Sequence, residues 1–299
     1  MIDRDAILVA AGGEVRFDEP LAGHTTFRLG GPVDALAFPT GVSAVQRLCA
    51  LAHERGWPCR VLGQGSNLLV RDGGVRGLCI ATARLRRLER VGAEAIGCEA
   101  GVPTAKLVAA ATDWELGGLE FLTGVPGTVG GALIMNAGTK LGEMKDVTVE
   151  VTTVQADGEL RVRAGAACGF RYRGSSFGAE IVVGALLRLR PGSRDVIESV
   201  CQSLRQERQG REPKGVHSAG SIFKNPPGQF AGRLIEQAGL KGRRVGGAEV
   251  SWVHANWIVN RGDATAADVE TLVRQCQEAV AQQLGVALEL EVRIVGEEA

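Results

Sequence analysis

Leu62-Gly63-Gln64-Gly65-Ser66-Asn67-Leu68-Leu69-Val70 is the stretch on which the reading of the fold turns. Two glycines two residues apart let the backbone turn sharply and come close to a neighbour. Ser66 and Asn67 add small polar groups at the same turn. Apolar residues flank it on both sides, so the pattern reads strand, glycine turn, strand. Two readings stand at this point. One is a tight turn between strands. The other is a concavity of backbone N–H groups that takes a phosphate. The dinucleotide fingerprint of the Rossmann kind is not met, because Leu68 stands where its third glycine belongs and no helix follows. If this loop holds a dinucleotide, the fold is of another type.

The rest of the chain bounds the possibilities. Its 299 residues correspond to about two domains by length. With 45% hydrophobic and 23% charged residues it has ample core for a globular protein. Lys+Arg and Asp+Glu both number 34, and aromatics make up only 4%, which speaks against a nucleic-acid binder. The seven cysteines form no C-x-x-C pair and sit mostly among apolar residues, so we expect reduced core thiols. The four histidines lie apart, without metal-ligand spacing, and no metal is expected. No secretory leader and no stretch near ~20 apolar residues is visible, so a cytoplasmic location is expected.

Local patterns place the elements. Val33 to Phe38 alternates as a strand, and Ser43 to Arg55 has helical spacing, with Ser43 as the expected N-cap and Gly56 as the stop. Short strands are expected at 75–81, 85–91 and 95–100, and a helix at 103–116. Residues 117–138 form a second glycine cluster, Gly117-Gly118 through Thr123-Gly124-Val125-Pro126-Gly127-Thr128-Val129-Gly130-Gly131 to Asn136-Ala137-Gly138. It is apolar between its glycines, unlike a flexible linker. It packs either on another strand or against a flat ligand ring. A hairpin is expected over 146–162 with Asp157-Gly158 at its turn. Pro191-Gly192 is the expected domain boundary. Helices follow over 195–208 (Val196, Val200, Cys201 and Leu204 on one face), 229–239 and 265–284, the last with Thr265 and Asp268 as a capping box. A strand over 286–295 closes the chain.

Two further clusters carry chemical groups. Phe170-Arg171-Tyr172-Arg173-Gly174-Ser175-Ser176-Phe177 interleaves arginine with aromatics, either as a surface pair or to order a guanidinium over an anionic group. Ser218-Ala219-Gly220-Ser221-Ile222-Phe223-Lys224-Asn225-Pro226-Pro227 is either a solvated turn or a site segment. There is no Gly-Lys phosphate loop.

In order along the chain, Thr26-Phe27-Arg28-Leu29-Gly30-Gly31, the Leu62–Val70 stretch, Glu120-Phe121 through Gly138, Tyr172-Arg173-Gly174-Ser175, Gly220 to Pro226, His254 to Asn260 and Leu290-Glu291-Val292-Arg293 resemble the UDP-N-acetylenolpyruvoylglucosamine reductase family. The likeness is to its shorter subclass, which lacks an inserted tyrosine-bearing loop. The resemblance implies an α+β fold with a two-lobed FAD-binding region of the vanillyl-alcohol-oxidase (PCMH) type and a C-terminal α+β substrate-binding domain. It implies lobes over 1–58 (joined by the strand 286–299) and 59–191, and a substrate domain over 192–285. It implies a peptidoglycan-precursor enzyme serving cell wall, cell shape and division. NADPH and the enolpyruvyl sugar nucleotide would use one cleft in turn, with hydride passing by way of tightly bound, non-covalent FAD.

The same resemblance carries residue roles. Gly63, Gln64, Gly65, Ser66 and Asn67 match the pyrophosphate loop, and Gly124, Thr128, Gly130 and Asn136 line the rest of the flavin. Arg173 matches the arginine that stabilises the substrate carboxylate, Glu291 the acid beside it, and Ser221 the proton donor. Lys224 and Asn225 match positions near the substrate, and Arg208, Arg211 and Lys214 are candidates for the diphosphate. A monomer is expected. Thr139-Lys140-Leu141 departs from the family, which often has an aromatic after Asn136-Ala137-Gly138. The alternatives are another flavoenzyme on the same scaffold and a sugar-nucleotide binder without catalysis. No His or Cys lies in 62–70 to tether a flavin, which weighs against the first.

Overall fold

The computed structural model describes residues 2–299. Contacts divide the chain into two compact units. The first comprises residues up to Phe17, Asp34–Gln64 and Gly77–Arg208, and the second Asp18–Val33, Gly65–Arg76 and Gln209–Ala299.

The first unit has two apolar cores. One is built on the helices Arg4–Ala11 and Val42–Glu54, which bury Ile7, Val45, Leu48 and Cys49 at helical spacing. These face a four-stranded sheet whose order is Glu14–Pro20, Pro32–Phe38, Val75–Ala81, Cys59–Leu62. The last two strands run parallel. The helix expected from Ser43 starts at Val42, and its N-cap is Gly41 with no side-chain cap.

The other core lies on a five-stranded antiparallel sheet, in the order Leu160–Ala164, Thr148–Val154, Ile181–Arg188, Ala95–Glu99, Leu88–Val91. The strand Ile181–Arg188 sends Val182 and Leu187 into this core and Ile181 and Val183 into the first, so it is buried on both faces. The hairpin forms as the sequence suggests, and the Asp157 carboxylate accepts from the Glu159 amide (3.0 Å) at its turn. The strand expected from residue 85 starts only at Leu88, because Thr82–Arg84 turns as a 3₁₀ helix. The helix Thr104–Asp113 packs Leu107, Val108 and Ala111 on this core. After Pro191-Gly192, the helix Arg194–Gln209 adds Ile197 and Cys201, while Val196, expected on its inner face, is exposed.

The second unit is a smaller α+β body. The helices Ala231–Gln237 and Ala266–Leu284 bury Leu234, Ile235, Val269, Leu272 and Cys276 with an antiparallel sheet of Arg244–Val245, Ala248–Val250 and Ile258–Asn260. The capping box at Thr265 and Asp268 is formed. Of the expected 286–295 strand only Arg293–Val295 is regular, paired in parallel with Leu68–Val70. Leu288 and Val292 still alternate inward, but the segment between them is held by single contacts such as the Phe223–Leu290 bridge.

Candidate active site

The glycine turn joins strands of different sheets. Cys59–Leu62 pairs with Val75–Ala81, and Leu68–Val70 with Arg293–Val295, so the turn is not a hairpin. In the second unit Gly65 has φ +66°, and a Cβ there would lie 2.4 Å from the His24 carbonyl oxygen. Only glycine fits both the left-handed backbone and the close approach. The Gly65 carbonyl accepts from the Thr26 amide (3.3 Å). The Thr26 hydroxyl in turn donates to the Ser218 carbonyl (2.7 Å), which ties the turn to the segment that leads to Ser221. Asn67 spends its side chain inside the chain, donating from Nδ2 to the Glu291 carbonyl (3.0 Å), and its own carbonyl accepts from the Arg293 amide (3.0 Å).

In the same unit, Ser221-Ile222-Phe223 lies between two segments. Ser221 bridges Trp257 on one side. On the other, the Ile222 carbonyl accepts from the amides of Glu291 (2.8 Å) and Val292 (3.2 Å). The structure therefore brings Ser221, Glu291 and Asn67 onto adjoining segments. Asn256, almost fully buried, fixes this arrangement: its amide side chain accepts from the Phe223 N–H (2.9 Å) and donates to the Phe223 carbonyl (2.7 Å). It acts as a backbone surrogate, satisfying groups that would otherwise be buried unpaired. Asn260 does likewise, donating to the Phe27 carbonyl (3.1 Å). Neither asparagine was given a role above. Their signal is a carboxamide at each end of the otherwise apolar run Trp257-Ile258-Val259. Lys224 Nζ lies 3.3 Å from the Glu289 carboxylate, and the Asn225 side chain accepts from the Ala231 amide (3.0 Å) at the start of the helix Ala231–Gln237. His254 is pushed below its ordinary value by burial, so its ring is kept neutral.

The remaining predicted residues lie in the first unit, except Ser66, Arg211 and Lys214, which belong to the second. Gly124 has φ +75°, and a Cβ would press 2.8 Å from Cδ and Nε of Arg208, so this glycine makes room for that arginine. Thr104 clamps the same loop, donating from its hydroxyl to the Val125 carbonyl (2.6 Å). Gly130 sits against Ala100 and donates its N–H to the Ala100 carbonyl (2.9 Å), which lays the short helix Val129–Ile134 on that backbone. Arg173 lies in the left-handed region at φ +53°, with its guanidinium carbon 4.8 Å from the Tyr172 ring centroid. Asn136, fully buried, also has positive φ, +44°.

One group here is chemically unfinished. The Thr128 hydroxyl is buried and has no hydrogen-bond partner among the described residues. A Cβ at Gly63 would stand 2.9 Å from it. A buried donor beside a bare glycine backbone fits a phosphate-bearing cofactor such as FAD, which brings acceptor oxygens and needs close backbone approach.

Comparison with known proteins agrees with this geometry. Residues 33–163 match the model of an FAD binding domain, and residues 212–295 that of the UDP-N-acetylenolpyruvoylglucosamine reductase C-terminal domain. The chain is 46% identical over 285 residues to the UDP-N-acetylenolpyruvoylglucosamine reductase of Moorella thermoacetica, covering 95% of this chain and 94% of that one. It is 46% identical to that of Geobacter metallireducens, with 96% and 95% covered. The crystal structure of UDP-N-acetylenolpyruvylglucosamine reductase from Thermus caldophilus superposes with a TM-score of 0.82 at 39% identity, over 95% of this chain and 98% of that one. A fold-level likeness, with TM-score 0.50 and 19% identity over 64% of this chain and 45% of the other, extends to Physcomitrella patens BBE-like 1. The FAD-binding part is thus of the vanillyl-alcohol-oxidase type and not Rossmann, and the protein is an FAD-dependent oxidoreductase. The chain belongs to the UDP-N-acetylenolpyruvoylglucosamine reductase family.

Proposed function

We propose that the protein uses NADPH to reduce the enolpyruvyl ether of UDP-N-acetylglucosamine to UDP-N-acetylmuramate, in peptidoglycan precursor synthesis. The observation that carries this reading is the adjacency of Ser221 and Glu291, pinned through the Ile222 carbonyl. Both apolar cores of the first unit serve as flavin lobes, and the second unit carries the substrate domain. Gly63, Gln64, Gly65, Ser66 and Asn67 would hold the pyrophosphate of FAD, chiefly through backbone amides. Gly124, Thr128, Gly130 and Asn136 form the wall along the rest of it. Bound there, FAD would supply a two-electron carrier between NADPH and the substrate.

The chain's own groups do the rest. As hydride reaches the terminal carbon of the enolpyruvyl group, negative charge moves into the substrate carboxylate. Arg173 stabilises that charge with fixed donors, which is the larger part of such catalysis, and Glu291 serves as the acid of the same step. Ser221 gives its hydroxyl proton to the neighbouring carbon. A serine hydroxyl is a weak acid, so this step requires a strongly basic carbon and close positioning. Lys224 and Asn225 contact the substrate, and Arg208, over Gly124, is the foremost of the three candidates for the diphosphate. The enzyme works in the reducing cytoplasm as a monomer. The seven unpaired cysteines support the compartment.

The test is a rapid-mixing experiment on Ser221→Ala. NADPH should bleach the flavin at the unmodified rate, while reoxidation by the enolpyruvyl substrate slows by about 10²–10⁴-fold. Equal loss in both halves would remove Ser221 as proton donor.

A further inference from the structure

The loop that presents Arg173 is held by residues that the reaction does not use. Arg171 and Gly174 exchange backbone hydrogen bonds (2.9 and 3.1 Å), which closes a tight loop around Tyr172 and Arg173. Within it Arg173 takes a left-handed backbone, a conformation that a long side chain adopts only when its surroundings impose it. Two side-chain hydrogen bonds impose it, tying the loop to the end of the helix Val129–Ile134 and to the residue just past it. Ser175 donates its hydroxyl to the Ile134 carbonyl (2.8 Å). Asn136 donates from Nδ2 to the Arg171 carbonyl (3.2 Å).

Asn136 is itself held on every side. Its Nδ2 also donates to the Glu143 carboxylate (2.8 Å), and its Oδ1 accepts from the Lys145 amide (2.9 Å). Both partners of Nδ2 are acceptors and the partner of Oδ1 is a donor, which sets the orientation of the carboxamide. Glu143 is fixed in turn by its capping box with Asp146 and by Lys145 Nζ at 2.9 Å. The carboxamide of Asn136 is therefore fully engaged within the chain, and its share in the flavin wall is through its place in the backbone.

We infer that Asn136 and Ser175 are positioning residues for Arg173, a two-point clamp that sets where its guanidinium stands when charge develops on the substrate. This rests on the reading of Arg173 as the charge-stabilising residue. A misplacement of about 1 Å at such a group can slow a reaction by up to ~10²-fold. The clamp predicts a defect confined to the half-reaction that needs Arg173.

The experiment uses the FAD-loaded enzyme and follows both half-reactions by rapid mixing. Ser175→Ala should slow reoxidation by the enolpyruvyl sugar nucleotide about tenfold while flavin reduction by NADPH keeps its rate, and Ser175→Thr, which retains the hydroxyl, should restore it. In an Arg173→Ala background, adding Ser175→Ala should change nothing further, since the group being positioned is gone. Asn136→Asp places an oxygen against two acceptors, and should slow reoxidation more than Ser175→Ala does. A Ser175→Ala effect of equal size in both backgrounds, or equal in both half-reactions, would overturn the clamp. If Arg173→Ala is slow and Ser175→Ala is not, the clamp alone falls. If Arg173→Ala reoxidises at the unmodified rate, the role of Arg173 falls and the clamp with it.

Discussion

At the residue scale, Gly65 shows what the glycine turn requires. An alanine there meets two obstacles: a left-handed φ, which disfavours any L side chain by about 1–2 kcal/mol, and a carbonyl oxygen 2.4 Å from the new methyl. Gly178 separates the two, because it has φ +60° and nothing within 4 Å of a built Cβ. Thermal melts should therefore show Gly178→Ala lowering Tm by about 2–4 °C and Gly65→Ala by at least twice that, with Gly65→Ala also losing flavin on gel filtration. Equal shifts would mean that the close approach at His24 is not felt. The two glycines of the turn were legible because glycine spacing is local information. The reasons for them were not: His24 and Thr128, which a methyl at Gly65 or Gly63 would strike, lie far from the turn in sequence. Asn256 was missed in the same way, since a buried carboxamide reads as a polar loop residue until its partners are known.

At the scale of elements, the helix Ala266–Leu284 accounts for its first free amides with side chains alone. Thr265 Oγ1 takes the Asp268 amide (3.1 Å), and Asp72 takes those of Ala266 (3.0 Å) and Ala267 (3.1 Å) on its two carboxylate oxygens. Arg71 adds a two-pronged bond to Glu270 (2.8 and 3.0 Å). The segment just after the glycine turn is thus fastened to the helix through two consecutive residues. Asp72→Ala should destabilise the protein by about 1 kcal/mol, seen calorimetrically as a Tm lower by roughly 2–4 °C, and Asp72→Asn should recover part of it. No change in either would show that solvent caps the helix as well as Asp72 does. The capping box could be read from four neighbouring residues; Asp72, 194 positions earlier, follows no local pattern. Gly41 takes the place of Ser43 as the cap of the helix Val42–Glu54, and the 286–295 alternation marked burial correctly without marking strand pairing.

At the scale of the whole molecule, pH acts through a half-buried histidine and a buried carboxylate. His254 is held neutral by burial, so its folded pKa lies below the unfolded value. Its contribution is present above the usual histidine value near 6.5 and is lost as pH falls from there toward the folded pKa. Glu249, fully buried between Arg261 and Arg244, is held below the usual carboxylate range, first by its bond to Arg261. Its contribution is present above the unfolded carboxylate value and goes as pH falls through the lowered one. Calorimetry should therefore find Tm falling in two stages on acidification, the first beginning near pH 6.5 and absent in His254→Asn. A first stage that persists in that variant would assign it elsewhere. Each apolar core, finally, encloses thiols of its own: Cys49 in one, Cys98, Cys168 and Cys201 in another, Cys276 in the third. Burial pushes Cys98 and Cys276 up to about 12, where the reactive thiolate is scarce. The protein therefore carries native reporters of its own breathing, since alkylation of each thiol records how often the core around it opens, with no label introduced.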